Sequence, residues 1–100
     1  MLNADNVLCA ELALCRYFTE EGVDSPVPVK SVMDCMKIYL QGTGIRKSEI
    51  KEARKRLGIK SENRGGEYFW LWASEQSPKE AWKEKSRELD GRKSNAGEGD

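Results

Sequence analysis

Apolar residues recur at helical spacing near the start of the chain, from Asp5 to Glu21. This segment contains neither Gly nor Pro, and its apolar side chains gather on one broad arc when they are projected as a helix. The pattern predicts a first helix with one face against a core. Glu11 falls inside the apolar arc and leaves two interpretations open. Its carboxylate either reaches solvent at the helix edge or pairs with a basic residue of a later helix.

An extended segment and a second helix are predicted next. Pro26 and Pro28 push the residues before them into extended conformations, which favours a loop or a short edge strand. Ser31 and Asp34 resemble a capping box, so we expect the second helix to run from about Val32 to Leu40.

A third helix follows a glycine-rich turn at residues 41–44. It is predicted to begin after Ile45 and to end near Leu57, with Gly58 as its C-cap. Two short helices joined by a tight turn are typical of a helix-turn-helix motif.

The spacing of apolar residues then becomes alternating, which predicts a β-hairpin. Its strands are residues 59–62 and 67–72, separated by a four-residue loop whose residues tolerate positive φ. Three aromatic residues share one face of the second strand and are expected to pack on the helices: Tyr68, Trp70 and Trp72.

The last quarter of the chain has few apolar residues. A capping box with proline at the first helical position predicts a fourth helix over residues 78–89, docked by Trp82. Residues 90–100 have the composition of a disordered tail. We therefore expect one folded domain over residues 1–74, which folds without the C-terminal segment, residues 75–100.

Composition excludes several classes of function. Lys plus Arg and Asp plus Glu each total 17, so a strong overall attraction to nucleic acid or to anionic lipid is excluded. The absence of histidine removes the commonest general base and the Ser-His and Cys-His nucleophile pairs. The chain contains no C-x-x-C pair, the pattern that would indicate a zinc site. We expect a protein that is not an enzyme and that needs no metal or cofactor.

Three cysteines fall on apolar helix faces, and we interpret them as small core residues with free, slowly reacting thiols: Cys9, Cys15 and Cys35. The chain has no apolar run long enough to cross a bilayer, and its first residues lack the features of a signal peptide. A cytoplasmic location without membrane contact is therefore expected.

Charge is unevenly distributed along the chain. Residues 1–40 contain three basic and six acidic side chains, whereas residues 46–64 contain eight basic and three acidic ones. Projection of the third helix places four polar side chains opposite its core face: Lys47, Ser48, Lys51 and Lys55. Such a stripe fits a DNA major groove, although a solvated helix face has the same pattern.

Helix, extended segment, helix, helix and hairpin follow one another in the order of a winged helix-turn-helix, an α+β fold with a three-helix core and a hairpin wing. In that arrangement the third helix enters the groove and the wing touches the adjacent backbone. We expect phosphate and backbone contacts from four further side chains: Arg46 and Arg54 near the third helix, and Lys60 and Arg64 on the hairpin.

Three local motifs stand out between Val7 and Ala73: Ala53 with Leu57-Gly58 at the end of the third helix, Gly65-Gly66, and Trp70 in the wing strand. With these motifs the sequence resembles the winged-helix domain at the C-terminal end of phage and plasmid replication ATPases and primase-like proteins. Trp72-Ala73 departs from the usual Leu-Pro, and no Walker motif is present.

The resemblance implies double-stranded DNA binding in phage or plasmid replication, with a replication ATPase or a primase as a partner. The alternative is a protein-interaction module with the same scaffold, which docks a replication partner through the hairpin and Trp82 without binding DNA.

Overall fold

The computed structural model describes residues 3–98, with side chains described for residues 3–91. Over this part of the chain the fold is α+β, with four helices and one three-stranded antiparallel sheet. The elements follow in the order α1 (Ala4–Glu21), β1 (Val27–Pro28), α2 (Val29–Tyr39), α3 (Lys47–Arg56), β2 (Lys60–Arg64), β3 (Glu67–Leu71) and α4 (Pro78–Glu98).

The central element of the core is α1, the predicted first helix. Asn3 caps it, since the side-chain Oδ1 accepts hydrogen bonds from the backbone N–H groups of Asp5 and Asn6, at 2.9 and 3.1 Å. Leu14 and Phe18 are fully buried on its inner arc. Helices α2, α3 and α4 all pack against α1, which therefore organises the domain.

The start of α2 differs from the prediction. The helix begins at Val29. Pro28 is its N-cap residue and the last residue with an extended backbone, at a φ of −62° and a ψ of 133°. Ser31 therefore lies inside the first turn and does not cap the helix, so the predicted Ser31–Asp34 capping box is wrong.

Strand order in the sheet is β1–β3–β2. The predicted extended segment forms the edge strand β1, which pairs Val27 with Trp70 of β3. Strands β2 and β3 are joined by Gly65 and Gly66, with φ of 61° and 89°. A two-residue hairpin turn of this kind needs positive φ at both positions, which only glycine adopts readily. The turn is thus two residues shorter than the predicted loop.

The aromatic face of β3 is only partly buried. Trp70 and Trp72 are 3% and 6% exposed, as expected, and the Trp72 ring lies 5.6 Å from that of Phe18. Tyr68 is 56% exposed, because it lies towards the hairpin tip, two residues from the turn. Strand alternation therefore gives the correct face, and the position along the strand decides the burial.

Helix α4 packs on α1 differently from the prediction. Trp82, the expected anchor, is 43% exposed, whereas the small Ala81 is 3% exposed, since a short side chain allows two helices to approach closely. The helix also continues past residue 89 to Glu98, so the predicted tail is helical up to that point. Residues 99–100 of the tail lie outside the described residues.

The Glu11 side chain is 2% exposed, and its Oε1 lies 3.2 Å from Nζ of Lys85 on α4. The second of the two interpretations of Glu11, an ion pair with a later helix, is therefore confirmed. Burial raises the pKa of this carboxyl, and the nearby Lys85 ammonium partly opposes that effect.

Two of the three cysteines are less buried than predicted. Cys15 is buried, whereas Cys9 and Cys35 are half-buried, and all three are free thiols. Among residues 3–98, no helix is long and apolar enough to cross a bilayer.

Candidate nucleic-acid interface

One face of α3 is basic and exposed, and the other is buried. Ile50, Ala53 and the C-cap residue Leu57 turn towards the core, at 6%, 0% and 7% exposure. On the opposite side the structure brings together the four residues of the predicted stripe, all exposed: Lys47, Ser48, Lys51 and Lys55. Three ammonium groups and a hydroxyl thus share one solvent-facing surface, which we call the α3 face.

The N-terminus of α3 is fixed by a buried carboxylate. Glu49, 4% exposed, accepts hydrogen bonds from the backbone N–H of Arg46 at 3.0 Å, from the backbone N–H of Asn3 at 3.0 Å and from the side-chain amide of Asn6 at 3.3 Å. These donors, the Arg46 N–H foremost, lower the pKa of Glu49. Helices α1 and α3 therefore begin side by side, and the Arg46 side chain is exposed next to Lys47.

The remaining acid of α3 is paired within the helix. Glu52 Oε2 lies 3.3 Å from Nε of Arg56, one turn later. Arg56 therefore balances the charge of Glu52, and the Glu49 carboxylate is turned towards Asn3, Asn6 and the Arg46 backbone, so neither carboxylate forms an ion pair with a lysine of the α3 face.

Arg54 has a structural role that the sequence does not indicate. Its Nη1 donates a hydrogen bond to the carbonyl of Ile59 at 2.8 Å, and its guanidinium carbon lies 5.7 Å from the centre of the Trp70 ring. The side chain is half-buried between α3 and the sheet. Arg54 thus holds the hairpin against α3, and the phosphate contact expected of it stays a prediction.

The predicted residues of the hairpin lie on the face of the sheet away from α3. Ser61 is opposite Trp70 across β2 and β3, and Trp70 faces the core. Since side chains alternate along a strand, Lys60 and Arg64 point to the other face. Arg64 is also bound by Glu62, with Nη2 2.9 Å from Oε2. The structure therefore does not bring Lys60 and Arg64 together with the α3 face.

A groove of about 400 Å³ separates α3 from the hairpin. Its lining comes from α3, from the hairpin and from the first residue of α2: Val29, Lys51, Arg54, Ser61, Tyr68 and Trp70. Ser61 and Tyr68 were not among the predicted site residues. The Gly65-Gly66 pair is the sequence feature that could have identified them. A two-residue turn at these glycines sets the strand register, which places both side chains on the face of the sheet towards α3.

The site offers cations, hydroxyl groups and an exposed aromatic ring, which suit contacts with phosphates and sugars. Among the side chains that the structure describes, those of residues 3–91, no cluster of three or more Cys, Asp or Glu could hold a metal ion.

In comparisons with known proteins, no family model, no curated protein and no solved structure matches the chain.

Proposed function

We propose that this chain is a winged helix-turn-helix domain that binds double-stranded DNA through α3 and the hairpin, without catalysing a reaction. The observation that carries the proposal is the α3 face. It presents Lys47, Lys51 and Lys55 to solvent on a helix whose carboxylates are engaged elsewhere. Lysines in this arrangement reach the phosphates on either side of a major groove.

The order of elements supports the fold part of the proposal. The chain order is α1, the edge strand β1, the pair α2 and α3, and the hairpin, with sheet order β1–β3–β2, which is compatible with a winged-helix arrangement. A role in phage or plasmid replication, beside a replication ATPase or a primase, rests on the sequence resemblance alone.

Titration with a fluorescent random-sequence duplex at several salt concentrations tests the proposal. With about four to six phosphate contacts, log K should fall against log salt with a slope of roughly −4 to −5. The absence of binding at low salt, or a salt-independent affinity, would contradict it.

A double charge reversal, Lys51→Glu with Lys55→Glu, should abolish DNA binding without altering the melting temperature, because both side chains are exposed. The matched control is Lys83→Glu with Arg87→Glu on α4, where the side chains are also exposed and the net charge changes equally. We expect the control to retain most of the affinity, which separates the α3 face from an effect of overall charge.

The alternative, a module that docks a partner protein without binding DNA, is favoured by a second surface. The 43% exposed Trp82 lines a groove between α1 and α4 with Arg16, Thr19, Glu20 and Lys79. Exposed tryptophan with neighbouring arginine is typical of residues that dominate protein interfaces. If this alternative holds, Trp82→Ala abolishes partner binding and the Lys51→Glu, Lys55→Glu variant retains it.

A further inference from the structure

A second groove, of about 320 Å³, lies between α2 and α3. We call it the α2–α3 groove. Its apolar lining consists of Met33, Met36, Leu40, Ile45 and Ile50, and two lysines complete it, Lys37 and Lys47. Met36 and Ile50 form a buried floor at 1% and 6% exposure, while the other three apolar side chains are half-buried. The groove therefore offers accessible apolar surface beside exposed ammonium groups.

The charge of the α2–α3 groove is purely positive. None of the residues that line it carries a carboxylate. Within the part of the chain that the structure describes, no ion pair within 4.0 Å joins Lys37 or Lys47 to an acidic side chain. Glu49, two residues from Lys47, is held by three hydrogen-bond donors. Both lysines are thus available to an acidic ligand.

Apolar surface between two free cations is complementary to an apolar surface flanked by carboxylates. We propose that the α2–α3 groove binds the apolar face of an acidic amphipathic helix from a partner protein. Helices of this kind dock into grooves through apolar residues spaced three or four positions apart. Met33 and Met36 suit the role, because unbranched, flexible methionine side chains adapt to the shape of the ligand.

DNA is a poor occupant of this groove, because a phosphodiester backbone has no apolar face for the floor formed by Met36 and Ile50. Lys47, however, belongs both to the groove and to the α3 face. The partner helix and DNA therefore compete for the Lys47 side chain. This competition rests on the proposed function, but the binding of the partner helix is independent of it.

The test is a titration of the full chain, labelled with ¹³C at its methionine methyl groups, with a synthetic helical peptide. The peptide carries Leu at positions i, i+4 and i+7 and Glu on both flanks. We expect saturable shifts of the Met33 and Met36 methyl resonances, assigned with Met33→Leu and Met36→Leu. A peptide with Lys in place of every Glu should cause none.

Two charge reversals on α2 provide matched variants. Lys37→Glu should weaken binding of the acidic peptide about fivefold or more, because an attraction becomes a repulsion. Lys30→Glu changes the net charge equally at an exposed position outside the groove, and we expect it to change the affinity less than about twofold at physiological salt.

Three outcomes would overturn the proposal. The first is no methyl shift with the acidic peptide, and the second is equal weakening by Lys30→Glu and Lys37→Glu. The third is a shift of the Met33 and Met36 methyls on dilution of the protein alone, which would make a second copy of the chain the occupant.

Lys55→Glu distinguishes this proposal from DNA binding, because Lys55 lies on the α3 face outside the groove. We expect it to weaken duplex DNA binding and to leave peptide binding unchanged. If duplex DNA does not bind but the acidic peptide does, the proposed function fails and the α2–α3 groove stands. Methyl shifts caused by duplex DNA and not by the peptide would assign the groove to a DNA interface instead.

Discussion

Replacing Lys85 by methionine tests how α4 is held on α1. The substitution removes the ammonium group 3.2 Å from Glu11 and leaves a carboxylate that is 2% exposed without its closest cation. Removal of one partner from a buried ion pair typically costs about 3–5 kcal/mol. Because the Lys85 side chain is 29% exposed, water relieves part of this cost, and we expect a loss of about 2 to 3 kcal/mol at pH 7.

Urea unfolding, followed by tryptophan fluorescence, measures this loss directly. In a domain of this size it corresponds to a decrease in Tm of roughly 10 °C or more. The penalty should depend on pH in a defined direction. Burial holds the folded-state pKa of Glu11 above its ordinary value, so the carboxyl binds a proton more readily in the folded than in the unfolded chain. Removal of Lys85 raises the pKa of Glu11 still further, because the ammonium group no longer opposes the effect of burial. The destabilisation by Lys85→Met is therefore fully present above the pKa of Glu11 in the variant and decreases as the pH falls from that pKa to the lower pKa in the wild type.

The double variant Glu11→Leu, Lys85→Met is the control. It removes both charges and fills the site with apolar groups, so its stability should return to that of the wild type or exceed it. A loss below about 0.5 kcal/mol in the single variant, the range of exposed ion pairs, would refute the reasoning. So would a double variant that is as unstable as Lys85→Met.

Three further predictions follow from burial and charge. Burial raises the pKa of the Cys15 thiol to about 12, so Cys15 should react most slowly with a thiol reagent at neutral pH, and the half-buried Cys9 and Cys35 faster, as mass spectrometry of the native protein would show. Glu49 has a lowered folded-state pKa, so its contribution to stability is present above the ordinary value of 4.5 and is lost as the pH falls below it. The stability advantage of the wild type over Glu49→Gln should therefore shrink as the pH falls below 4.5, and a difference that stays constant with pH would contradict this. Truncation after Ser74 removes α4 and uncovers α1, so we expect it to destabilise the domain at least as much as Lys85→Met in a urea titration, whereas a stable truncation would support the independence expected from the sequence.

Elements with a strong local pattern were predictable from the sequence. Helix α1 and the hairpin were found because periodicity, glycine and proline act over a few residues. The start of α2 was not, since two local signals compete there, and the conformation of Pro28 prevails over the capping potential of Ser31. Burial on α4 depends on the partner surface, so the pattern could not indicate that Ala81 is buried and Trp82 exposed.

The candidate site was predictable from the sequence only where it lies within one helix. The α3 face follows from helical spacing within ten residues. The position of Lys60 and Arg64 depends on strand register, which the length of the turn sets, and a loop of four residues in place of two leaves that register undefined. The contact of Arg54 with the Ile59 carbonyl depends on the path of the chain after the helix, which no spacing of residues encodes.

The junction between α3 and the hairpin determines how firmly the two elements are held together when a ligand binds across them. Only residues 57–59 separate the helix from β2. There the backbone N–H groups of Gly58 and Ile59 donate to the carbonyls of Lys55 and Arg54, both at 3.1 Å, with Gly58 at a φ of 73°. Together with the hydrogen bond from Arg54 to the Ile59 carbonyl, these bonds tie the start of the hairpin to the end of α3. A ligand that contacts both α3 and the hairpin therefore binds a preorganised surface, and its binding costs the protein little conformational entropy. A substitution that loosens residues 57–59 would shorten the lifetime of the complex, although every contact between ligand and protein would remain.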